Sequence, residues 1–107
     1  MALSKTICYK QPNEERLVTM TFQNKMADNE NINGIDSIVA TLNGNATVDL
    51  TFANQTWSGD EVQFLISGGN IPTREDINYC DYKVTVTVTT DLGQTLENDG
   101  ILRVQED

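Results

Sequence analysis

Between Cys80 and Thr90 the chain alternates in polarity. Cys80, Tyr82, Val84, Val86 and Val88 hold one parity, and Asp81, Lys83, Thr85, Thr87 and Thr89 hold the other. Successive strand residues face opposite ways, so the run predicts a long strand with one apolar face and one wet face. Thr90-Asp91-Leu92-Gly93 supplies turn residues, and Leu96 to Val104 reads as the returning strand, with a bulge expected at Asp99-Gly100. Arg16 to Phe22 alternates in the same way, with Val18, Met20 and Phe22 inward. Ile35 to Asn43 places Ile38, Ala40 and Leu42 inward, and Asn43-Gly44 is a strong hairpin signal. Ala46 to Phe52, with Val48, Leu50 and Phe52 inward, and Glu61 to Ser67, with Val62, Phe64 and Ile66, complete the set.

The connections are equally legible. Lys5 to Lys10 predicts a short first strand, broken by Gln11-Pro12-Asn13-Glu14. Gln23 to Gly34, rich in Asn and Asp, predicts a long loop. Ser58-Gly59-Asp60 is a turn, and Gly68-Gly69-Asn70 ends the strand before it. Between Asn70 and Asn78, Thr73 is placed to cap one helical turn with Asp76 at its third position. The sum is about seven short strands separated by turns. That pattern predicts an all-β, antiparallel, Ig-like β-sandwich, and 107 residues suit one such domain spanning 1–107.

Charge narrows the partners. Sixteen acidic against seven basic residues give a formal net charge of −9, and the basic ones form no cluster. Such a chain repels phosphate backbones, so neither nucleic acid nor an anionic membrane is expected as a partner. No apolar run approaches the length needed to span a bilayer. Met1 to Ile7 lacks an apolar signal region, which predicts synthesis and use without secretion by the usual route. The sequons at Asn45 and Asn54 then carry no consequence.

Catalytic chemistry is hard to build from these residues. Histidine is absent, which removes the commonest general base and metal ligand and excludes a Ser-His-Asp triad. No serine sits in a nucleophile elbow, and Gly68-Gly69 is not followed by the Lys-Ser/Thr of a phosphate loop. Asp28 to Gly34 fails as a calcium loop, because Ile32 and Val39 stand where ligands are required. The expectation is a non-enzyme without catalytic residues, cofactor or metal. Cys80 reads as a small buried hydrophobe. A Cys8–Cys80 disulfide is the alternative, disfavoured in a reducing compartment.

Binding is the remaining class. Trp57, in Asn54-Gln55-Thr56-Trp57-Ser58-Gly59, is read two ways: as an exposed interface anchor, or as a cap on the open end of the core. Interface candidates are therefore Trp57 and Gln55 in that segment, Ile32 in the long loop and Ile7 in the segment before Pro12. Tyr82, near the start of its strand, is placed for a tyrosine-corner contact to nearby backbone. The threonine row and any open strand edge offer further surface.

The order of motifs resembles that of small Ig-like structural proteins of tailed bacteriophages. It runs from Gln11-Pro12-Asn13-Glu14 through Leu65-Ile66-Ser67-Gly68-Gly69 to Tyr82-Lys83-Val84-Thr85-Val86-Thr87-Val88-Thr89-Thr90, Asp91-Leu92-Gly93-Gln94 and Leu102-Arg103-Val104. The spacer between Gly69 and Tyr82 is longer than in that pattern, and a Trp often found after the acidic loop is missing. The resemblance implies a virion protein made in the host cytoplasm, with no catalytic residues. The main expectation is a head decoration or cement protein that binds the major capsid protein or another virion protein and has copies of itself as neighbours. A neck or tail accessory protein, and an Ig-like glycan-binding module, are the alternatives.

Overall fold

The computed structural model describes residues 7–70 and 79–105, with Ile7 and Cys8 described by their backbone alone. It contains eight strands: β1 (Ile7–Lys10), β2 (Arg16–Thr21), β3 (Ile32–Leu42), β4 (Asn45–Thr47), β5 (Leu50–Ser58), β6 (Glu61–Gly68), β7 (Tyr79–Thr90) and β8 (Thr95–Gln105). A 3-10 turn at Gln23–Lys25 opens the long loop after β2. The Thr73-capped turn lies outside the described residues.

The strands form two sheets, β1-β8-β7-β3-β4 and β2-β6-β5. With β8-β7-β3 in one layer and β2-β6-β5 in the other, the arrangement is compatible with an Ig-like sandwich. The inward parities of the two layers meet in one core. From the smaller sheet come Val18, Met20, Val62, Phe64 and Ile66, and from the larger Val84, Val86, Val88, Leu102 and Val104, all fully buried. Phe64 meets Phe52 edge-on, with ring centroids 5.7 Å apart, a favoured aromatic geometry.

Several local predictions hold for the reasons given. Asn43 and Gly44 both take positive φ (53° and 84°) and join Leu42 to Asn45, the two-residue hairpin that their sequence favours. Gly68 is needed where β6 ends. Its φ is 87°, and a Cβ there would stand 2.4 Å from the Asp49 carbonyl oxygen, to which the Gly69 N–H donates at 2.9 Å.

Tyr82 makes the predicted corner. Its ring is fully buried, its hydroxyl accepts from the Asn70 N–H at 2.9 Å, and it donates to Asp49 Oδ2 at 3.1 Å. One phenol thus ties β7 to the chain ends that leave β4 and β6. Burial pushes its ionisation well above the usual range.

Other expectations are corrected. β1 pairs parallel to β8, so the larger sheet is not wholly antiparallel. The predicted strand 46–52 is two strands in different sheets. Val48 sits at the crossing, 95% exposed, instead of facing inward. β8 runs in unbroken register past Asp99 and Gly100, without the expected bulge. The register shifts are instead in β3, between Ile32 and Gly34 and between Ile35 and Ser37, and in β5. Ala53 pairs with Leu65 and Thr56 with Gln63, so one extra residue is absorbed at Asn54-Gln55, where Asn54 takes φ 52°.

The cysteines are separated by topology. Cys8 is in register with Leu102 on one side of β8, while Cys80 pairs with Val104 on the other side. Two strand spacings are about 9–10 Å, beyond the roughly 4.4–6.8 Å that a disulfide spans. Cys80 is a free, buried thiol, and burial raises its pKa.

Candidate interaction surfaces

Two regions of the surface combine exposure with the residue types that anchor contacts. The first is the outward parity of the larger sheet, near its β1 edge. Tyr9, Arg103 and Asp81 lie abreast on β1, β8 and β7. Arg103 donates to both carboxylate oxygens of Asp81, at 2.7 and 2.9 Å. Its guanidinium carbon stands 4.2 Å from the centre of the Tyr79 ring. The hydrogen bonds to Asp81 hold Arg103 charged, raising its pKa further. Tyr9 and Tyr79 remain 52% and 41% exposed. A fixed Arg between two open phenols suits a protein partner, since Tyr and Arg are the usual anchors and a locked Arg has little freedom left to lose. Sequence reading missed this patch. The alternation from Cys80 places Asp81 outward, but the parallel partner that brings Tyr9 beside Arg103 leaves no local signal.

The second region is the side of the sandwich where β4 and β5 lie. Each is the outermost strand of its sheet, and β5 packs beside β3. The bulge at Asn54-Gln55 resets the parity of β5, which brings Trp57 opposite the core residue Val62. Even so, Trp57 is 47% exposed and is not among the side chains packed on the core. It lies within β5, not beyond its end, with Thr56, Ser58, Glu61 and Gln63 around a shallow depression of about 160 Å³. Gln55 is exposed beside it.

The other two candidates part from that group. Ile32 is only 5% exposed and belongs to the core, because β3 starts at Ile32, earlier than expected, and pairs it with Thr90. It is withdrawn as a surface contact. Ile7 is in register with Ile101 at the β1 edge, far from Trp57 in strand order, and its side chain lies outside the description.

The acidic loop has a structural task at Glu30. Its buried carboxylate accepts from the Ala27 N–H at 2.9 Å, from the Thr90 hydroxyl, and from Gln94 Nε2 at 2.8 and 2.9 Å. These bonds, led by that from Thr90, hold its pKa below the usual carboxylate range. The clamp fastens the loop after β2 to the β7–β8 turn. Asp91 Oδ1 adds a bond from the Asn31 N–H at 3.0 Å.

A family model described as the podophage GP4 fiber-tail adaptor protein gp77 matches residues 10–103. The chain belongs to this family. It is therefore a bacteriophage structural protein and a component of the virion. No curated protein matches it. The family description names a structural adaptor, in keeping with a non-enzymatic role. Head decoration and a major-capsid partner receive no support from this family, and the neck-or-tail alternative fits it better. Trp57, Tyr79 and Arg103 fall inside the match, and Tyr9 lies one residue before it.

Proposed function

We propose that this protein joins a fibre to the tail of a podophage-type particle, acting as a rigid connector without catalysis. The observation that carries this reading is the family match across residues 10–103. The geometry supports it by offering two separate contact regions on one stiff body. The Tyr9–Arg103–Tyr79 patch is on the outer face of the five-stranded sheet near β1, and the Trp57 side is at the opposite strand edge. A connector needs two such sites held at a fixed distance, and a sandwich with a fully buried core supplies that stiffness.

In this reading the Arg103 patch docks another virion protein. Arg103 would present its remaining N–H groups, and the two phenols would present flat, amphipathic area.

Deleting the gene for this chain tests the proposal. Particles with complete, stable heads and tails but no attached fibres would support it. Particles with fibres in place and fragile or incomplete heads would refute it. Arg103→Ala in the full chain should reduce fibre attachment without unfolding the protein, since its ion pair lies at the surface.

A further inference from the structure

The distribution of charge along the chain is uneven in a way that neither fold nor family explains. The chain carries sixteen acidic and seven basic residues, yet between positions 37 and 59 Asp49 alone is charged. That carboxylate is occupied by the Tyr82 hydroxyl. The folded chain gathers this stretch on one side, since it comprises the end of β3, β4 and β5, with β4 and β5 the outermost strands of their sheets. The opposite side, where β1 and β2 are outermost, carries Glu14, Glu15 and Arg16.

This charge-poor side, bordered by Glu61 opposite Ser58 at one end of β5, is neither small nor inert. It exposes Val48 and Trp57 at 95% and 47%. Around them stand Asn43, Asn45, Asn54, Gln55 and Thr56. β5 has nine residues without a charge or a proline, the devices that usually keep an edge strand solitary. Its bulge breaks the edge at Asn54-Gln55, so a partner would meet side chains there instead of extending one continuous ladder.

We propose that a second copy of this chain covers this side, forming a twofold dimer whose axis passes beside Asn54-Gln55. Three physical arguments favour a second copy over a different protein. A twofold contact sets side chains near the axis against their own copies, so any charge there faces a like charge. Amides and hydroxyls both donate and accept, and therefore complement themselves. A different partner would gain specificity and speed from charges opposite to those of this acidic chain, and would leave no reason to remove them. Two chains of formal charge −9 also repel, least where neither presents charge.

The size is sufficient for a weak, specific contact. Nine residues of β5 at about 3.3 Å each, and sheets about 10 Å apart with side chains beyond them, give roughly 30 by 20 Å. About 600 Å² per copy is at the low end of specific interfaces. With a second copy on this side, the connector's two contacts become the two Arg103 patches of one dimer, and the dimer contact itself holds or fails on its own test.

Sedimentation of the full chain over a wide concentration range reads the outcome. The expected result is a concentration-dependent shift from the 11.9 kDa monomer to twice that mass. Gln55→Lys and Gln55→Glu should each remain monomeric, and an equimolar mixture of the two should recover the dimer. Thr87→Glu, on the outward face of β7, should dimerise like the parent. A monomer at every concentration would overturn the proposal, as would dimers untouched by both Gln55 variants or a mixture that does not recover.

Discussion

Tyr82→Phe is the sharpest probe of how this fold holds its strand ends. The ring is fully buried and would stay packed, so the change isolates the hydroxyl. That hydroxyl accepts from the Asn70 N–H at 2.9 Å and donates to Asp49 Oδ2 at 3.1 Å. Its removal leaves a donor and a carboxylate without this partner. An unsatisfied buried group costs about 1–3 kcal/mol, and because both groups lie toward the surface, where water can reach them, about 1–2 kcal/mol is expected. With a urea m-value of about 1–1.5 kcal/mol/M for a small domain, the midpoint should fall by about 1 M with m unchanged. Asp49→Ala should cost a similar amount, and the double variant less than the sum, because both changes remove one bond. A midpoint within about 0.2 M of the parent, or strictly additive effects, would refute the claim that this phenol ties the two ends together.

Three further outcomes follow from the same geometry. Glu30 has a folded pKa below its unfolded one, so its contribution is present above the ordinary value of 4.5 and is lost as pH falls through the lower folded value. Thermal melts should therefore show Glu30→Gln less stable at neutral pH, with the gap to the parent closing as pH drops below about 4.5; a gap independent of pH would contradict the clamp. Gly68→Ala combines a φ of 87° with a Cβ 2.4 Å from the Asp49 carbonyl oxygen and should cost more than about 2 kcal/mol by urea denaturation. Trp57→Ala should cost less than about 1.5 kcal/mol, against about 3–5 for Phe64→Ala, because Trp57 packs outside the core; equal losses would make Trp57 a core residue.

What was legible in the sequence was what local physics decides. The alternation of β7 is set by burial on one face, and the Asn43-Gly44 hairpin by backbone preference; neither depends on distant chain. The failures share a cause. Alternation from Ala46 to Phe52 continues through Val48-Asp49, where the chain changes sheets, so periodicity alone joined two strands and turned Val48 inward. The bulge at Asn54-Gln55 breaks the period of β5, so the alternation that ends at Phe52 gives no sign that the strand continues through Trp57. Ile32 was placed in the long loop because the polar run around it hides its pairing with Thr90. The Arg103 patch and the Glu30 clamp join residues some sixty to ninety positions apart, through a parallel pair and a loop contact. The absence of histidine, by contrast, is plain in the composition and leaves binding as the class of function these residues suit.

The central claim is a place at the tail, and it is tested most directly by separating heads from tails of purified particles and quantifying this chain in each by mass spectrometry. The account predicts that it stays with the tail and fibre fraction, in far fewer copies than the major capsid subunit. Recovery with the heads, in numbers close to that subunit, would contradict it.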